Sequence, residues 1–158
     1  MIHRINYNYN TTIQQAGKPV QRQIPAPLVL QVLGPFLDVN ITPGRIVCES
    51  LQKAGQKIPS FAAKAMIDTG ASSCIITPAI ASQLNLIQTG FKDIISVQNK
   101  QKQPEYFGTI SFAWGASMET PLVACQLPSG LDCLIGREVL GNWYLTYDGK
   151  NGTIVICD

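Results

Sequence analysis

A chain of 158 residues, 46% of them hydrophobic, supplies the apolar surface of one ordinary domain core. Twelve Lys and Arg against ten Asp and Glu, spread without a basic or acidic block, leave no electrostatic footprint for nucleic acid or an anionic membrane. Five cysteines with no C-x-x-C pair, and a single histidine, His3, exclude zinc-ligand spacing, so no metal or other cofactor is expected. An odd set of thiols cannot all pair within one chain, which fits reduced cysteines in a cytoplasmic setting. The polar N-terminus lacks the apolar region of a secretory signal. The apolar stretch at 24–39 is interrupted by Pro25, Pro27, Gly34, Pro35 and Asp38, far short of the roughly 20 residues that span a bilayer.

Thirteen glycines, ten prolines and recurrent Val, Ile, Thr and Tyr runs predict a mostly β fold. Residues 1–27, rich in Asn and Gln, read as a polar extension, either strand or tail. Residues 28–39 read as two strands broken at Gly34-Pro35, closed by the turn Thr42-Pro43-Gly44. A short surface helix is expected over 48–54, ending at Gly55, and a strand over 61–67 that runs straight into Asp68. Thr77 and Pro78 announce a second helix over 78–84. Strands at 93–98 and 106–113 flank a polar tip at 99–105 and together predict a long hairpin. Apolar strands follow at 121–127 and 133–135, Arg137 opens a helix, and the Asn151-Gly152 pair closes a final hairpin of 143–147 with 153–157.

The segment that carries chemistry is Asp68-Thr69-Gly70. A carboxylate at a tight turn after a strand suits water activation, because glycine admits a substrate backbone and the threonine hydroxyl can bridge to main chain. By itself the tripeptide is consistent with a plain turn. The remaining aspartates, Asp38, Asp93, Asp132, Asp148 and Asp158, carry no Thr-Gly or Ser-Gly after them, so the chain holds one such half-site.

Its surroundings are more specific. Ala65-Met66-Ile67-Asp68-Thr69-Gly70-Ala71-Ser72-Ser73, a following strand, helix and hairpin, and then Cys133-Leu134-Ile135-Gly136-Arg137-Glu138-Val139-Leu140 resemble the retropepsin-type aspartic proteases, in particular their bacterial branch. The resemblance covers residues 28–158. It implies a single closed, barrel-like acid-protease domain with one or two short helices, working as an obligate homodimer on a peptide or protein substrate. Asp68 would be catalytic, with Thr69, Gly70 and Ala71 completing the active-site loop. Ser72 and Leu134 would contact substrate, and Ile135, Gly136 and Arg137 would support the loop from beneath. Thr69 would bridge the two loops, Gly70 would offer its carbonyl to substrate, the 94–113 hairpin would form the flap, and Ile154-Val155-Ile156 would interleave at the dimer interface.

A dyad of facing carboxylates shares one proton, and the general treatment of such dyads takes aspartic proteases as its own example. Ala71 offers no hydroxyl to favour the charged carboxylate, which places the expected working range at about pH 5 to 7 rather than about 2. Two departures from the family pattern stand out. Ser72 occupies the place of an aspartate that would pair with Arg137, leaving the partner of Arg137 open, and the expected flap tip carries Lys100, Lys102 and Pro104 instead of glycines. Two other readings remain. One is a dimeric peptide-binding or adaptor module of the same fold with little or no catalysis. The other is a monomeric β-barrel ligand binder with a fortuitous Asp-Thr-Gly.

Overall fold

The computed structural model describes residues 1–16, 18–95 and 100–158, which form a mostly β protein with four short helices. In chain order the elements begin with β1 (Ile2–Asn6), β2 (Tyr9–Gln15), β3 (Lys18–Ile24), α1 (Ala26–Leu33), β4 (Phe36–Pro43), α2 (Arg45–Lys53), β5 (Phe61–Ile67) and β6 (Cys74–Ile76). They continue with α3 (Pro78–Gln83), β7 (Gln88–Ile95), β8 (Lys100–Phe112), β9 (Ser117–Ala124), β10 (Cys133–Ile135), α4 (Arg137–Leu140), β11 (Tyr144–Asp148) and β12 (Thr153–Cys157). Residues 36–141 form one compact unit, and residues 1–35 with 142–158 form another.

Alternating burial builds β4 and β5 of the larger unit. Leu37, Val39 and Ile41 of β4 and Ala63, Ala65 and Ile67 of β5 are buried while their neighbours face outward or lie half-buried. The strands run β4-β5-β10-β6-β9-β8, and pairing of β8 back onto β4 closes a six-stranded barrel, leaving β7 as a flanking strand on β8. Closure abolishes the open edges that a flat sheet of these strands would expose. Ile41, Ile76, Ile110, Leu122 and Ile135 fill the interior at 2% exposure or less. Each contributes about 1.5–3 kcal/mol relative to an exposed side chain.

The short β10 sets the site. It lies parallel to β5, with Ala65 opposite Cys133 and Ile67 opposite Ile135, and antiparallel to β6. Residues 68–73 join β5 to β6, so this loop must arch over the C-terminal end of the strand inserted between them.

The β7–β8 hairpin differs in register from the sequence expectation. Ile95 pairs with Lys100 and Phe91 with Pro104, so residues 100–105 are strand and not tip. On a ribbon with exposed positions on both faces, polar residues such as Lys100 and Gln103 fit a strand as readily as a turn, and their polarity is not a turn signal. The expected strand residues 96–98 and tip residue Asn99 lie outside the described residues.

In the smaller unit, residues 26–33 form a helix where the sequence reading placed a strand. Pro27 sits in the first helical turn, where its missing N–H costs nothing, and the Leu-rich run buries Val29 and Leu30 while Val32 is 68% exposed. Pro35 interrupts the chain as expected, but it separates a helix from a strand. The terminal sheet has the order β1-β12-β11, with Ile154 and Ile156 fully buried. Strand β12 is therefore central, paired on both sides by its own chain, and is not available to interleave with a second copy through its edges. Gly152 explains the tight turn before it, since an added Cβ would fall 2.2 Å from the backbone carbon of Ala26 and the residue has φ +65°.

Candidate active site

Asp68 follows directly on β5, and its N–H donates to the carbonyl of Ile135 at 3.0 Å, continuing the β5–β10 pairing by one bond. The chain then turns sharply. The N–H groups of Gly70 and Ala71 donate to Asp68 Oδ1 at 2.8 and 3.2 Å, fixing one carboxylate oxygen by backbone alone. Among the described residues Oδ2 has no hydrogen-bond donor, so one oxygen is held and the other is presented. The side chain of Ala71 adds no donor, but its amide does.

The loop is held from beneath by α4. The amides of Arg137 and Glu138 donate to the carbonyls of Ala71 and Ser72 at 2.9 and 3.3 Å. Arg137 Nη1 donates to the carbonyls of Thr69 and Gly70, both at 2.8 Å. These carbonyls are the partner that the sequence could not assign to Arg137. They give the guanidinium charge-assisted bonds to a loop whose carbonyls would otherwise have no donor from this side. One lone pair of the Gly70 carbonyl is thereby occupied.

Close packing at Gly136 makes this arrangement specific. A Cβ there would lie 2.3, 2.5 and 2.9 Å from the O, C and N of Ser73, all backbone atoms. Only glycine lets the end of β10 and the loop approach this closely. Ser73 is buried and its hydroxyl donates to Glu138 Oε1 at 3.4 Å, while Lys92 Nζ of β7 reaches the same oxygen at 2.6 Å and lies 3.9 Å from Glu105 Oε2. Thus one four-residue helix ties down the Asp68 loop through Arg137 and the middle of β7 through Glu138. The Lys92–Glu138 bridge spans 46 positions of sequence and carries no motif, which is why sequence reasoning missed it.

A cavity of about 420 Å³ opens over this loop, lined by Asp68, Gly70, Ala71, Ser72, Leu134 and Arg137, with Ile94 and Ile95 contributed by the hairpin. Thr69 is exposed, Leu134 is buried with one face on the cavity, and Ile135 lies wholly in the core beneath. Ser73, at the end of the first motif, also lines it, as do Ile75 and Asp93, two residues outside the motifs. Asp93 pairs with Lys100 at 2.8 Å, and the hydrogen bond from that ammonium holds its carboxyl below the ordinary value. Cys74 and Cys133, on the strands next to the loop, are fully buried; burial pushes the Cys74 thiol up to about 11 and the Cys133 thiol well above its usual range. Among the described residues no group of three His, Cys, Asp or Glu side chains is placed to hold a metal ion, and no helix is long and apolar enough to cross a membrane.

No protein-family model matches the chain, and no curated protein matches its sequence. Solved structures do. A retropepsin-like aspartic protease from Rickettsia conorii aligns with a TM-score of 0.48 at 12% identity, over 99% of this chain and 94% of that one. Simian foamy virus (mac) protease aligns at 0.44 and 16% identity, over 67% and 91% of the two chains. A foamy viral protease-reverse transcriptase solved with an RNA/DNA hybrid aligns at 0.47 and 15% identity, over 70% of this chain, which spans only 12% of that one.

Proposed function

We propose that the chain is an aspartic endopeptidase of the retropepsin type, in which Asp68 of one protomer faces Asp68 of a second across a two-fold axis. The observation that carries this reading is the geometry of Asp68. Its Oδ1 is fixed by two amides at 2.8 and 3.2 Å, Oδ2 is unclaimed among the described residues, and Asp68 lines a cavity of about 420 Å³, large enough for peptide side chains. One carboxylate cannot serve as acid and base together, and the chain has a single Asp-Thr-Gly, so completion by symmetry is the economical arrangement.

In that dimer a water between the two carboxylates would lose a proton to the ionised one as its oxygen adds to the scissile carbonyl carbon. The protonated one would give its proton to the carbonyl oxygen. Collapse of the tetrahedral intermediate breaks the C–N bond, with a proton delivered to the leaving amine. The dyad titrates as a unit, with apparent pKa values that belong to the pair. Thr69, exposed at the loop apex, would bond across the axis; Leu134 and Ser72 would contact substrate; and the β7–β8 hairpin, through Ile94 and Ile95, would cover it. With β12 filled on both sides by its own chain, the protomers would have to meet through other surfaces. The five free cysteines fit a reducing compartment such as the cytoplasm.

The test is the concentration dependence of peptidase activity alongside mass in solution. Specific activity should rise with protein concentration and saturate where sedimentation shows the dimer. Constant specific activity from a monomeric species would contradict the shared site.

A further inference from the structure

The guanidinium of Arg137 carries five N–H donors in a planar fork, and the Thr69 and Gly70 carbonyls take the two on Nη1. The other three, on Nη2 and Nε, have no hydrogen-bond partner among the described residues, and no described carboxylate comes within 4.0 Å of the side chain. Arg137 is nevertheless exposed and lines the same cavity as Asp68. Ser72, also exposed, lines the same cavity; its carbonyl accepts from the N–H of Glu138, next in chain to Arg137, and among the described residues its hydroxyl has no hydrogen-bond partner. The other carboxylate on this wall, Asp93, is paired with Lys100 at 2.8 Å and does not claim the guanidinium.

An immobilised, unpaired guanidinium edge beside a hydroxyl is a carboxylate receptor, since the fork matches two carboxylate oxygens and the hydroxyl can serve a further lone pair. Its two bonds to the loop hold the side chain still, so little rotamer freedom is lost when an anion binds. We propose that Arg137 and Ser72 form a subsite for an acidic side chain, Asp or Glu, flanking the scissile bond of the substrate. This rests on the peptidase reading of the cavity and adds to it a substrate class: acidic peptides.

The experiment measures binding and cleavage separately. Fluorescent peptides matched except for Glu or Gln at each flanking position, each made with an amidated and with a free C-terminus, are titrated against the Asp68→Asn protein by anisotropy. At the preferred position the Glu peptide is expected to bind about fivefold more tightly at low salt. That ratio should shrink as ionic strength rises from about 0.05 to about 0.5 M. Ser72→Asp, which puts a carboxylate next to the open edge of Arg137 without touching its loop bonds, should bring the ratio close to one. Equal binding of all Glu and Gln peptides overturns the subsite, as does a Glu preference insensitive to both salt and Ser72→Asp. A gain seen only with a free C-terminal carboxylate overturns the side-chain assignment. If Glu preference is found but wild-type protein cleaves nothing, the subsite stands and the peptidase reading falls; cleavage without preference has the opposite meaning.

Discussion

Replacing Gly136 with alanine adds one methyl group at the tightest point of the site. The new Cβ would start 2.3 Å from the Ser73 carbonyl oxygen and 2.5 Å from its carbon, and neither belongs to a flexible side chain that could swing away. Restoring ordinary contact requires the loop and the end of β10 to part by about 1 Å, and overpacking of this kind costs about 1–3 kcal/mol. The same displacement pulls on the Arg137-to-Ala71 and Glu138-to-Ser72 backbone bonds at 2.9 and 3.3 Å, which moves Asp68 as well as weakening the fold. Urea denaturation should therefore show a lower midpoint with an unchanged slope. The proposed peptidase activity should fall by about a hundredfold, the scale associated with a 1 Å misplacement of a reacting group. A variant within about 0.5 kcal/mol of wild type and of equal activity would refute the claim that close packing of Gly136 on Ser73 holds the catalytic loop.

Three further outcomes are expected. In a double-mutant cycle of Lys92→Met and Glu138→Gln, the bridge, which is only partly shielded, should show a coupling of about 1 kcal/mol by chemical denaturation, and zero coupling would remove it from the account. The Asp93 carboxyl, followed by NMR, should titrate below the ordinary value of about 3.9. Because its folded value is depressed, the stabilisation of the Asp93–Lys100 pair is present above the unfolded value and lost as pH falls through the folded one. Lys100→Met should move the midpoint back up, and an ordinary midpoint in the wild type would contradict the pairing. Thiol reagents at about pH 8 should leave Cys74 and Cys133 unmodified in the native protein, because burial disfavours their thiolates, and mass mapping that finds either one labelled would show the loop region to be open.

What could be read from the sequence was what repeats or what is rare. The apolar strand at 61–67, the Asn151-Gly152 turn and the Thr77-Pro78 helix start have local causes, and the structure has them where those causes put them. Asp68-Thr69-Gly70 and Leu134-Ile135-Gly136-Arg137 are some 65 positions apart, yet the parallel pairing of β5 with β10 brings them together. What was not legible depends on partners chosen in three dimensions. Residues 26–33 are apolar enough for strand or helix; the helix they form buries Val29 and Leu30 and leaves Val32 exposed. The hairpin tip was misplaced because polar residues on an exposed ribbon look like a turn, and the burial of β12 on both edges follows from a pairing with β1 across nearly the whole chain. Arg137 bonds to main-chain carbonyls, which no side-chain identity announces.

Whether Asp68 is half of a symmetric catalytic pair is read from cleavage of an unfolded protein mixture by wild type mixed with increasing amounts of Asp68→Asn. Asp68→Asn alone should be inactive and, at fixed wild-type concentration, should suppress activity progressively by forming mixed dimers with one carboxylate. Full activity of Asp68→Asn, or wild-type activity unaffected by an excess of it, would contradict the shared dyad.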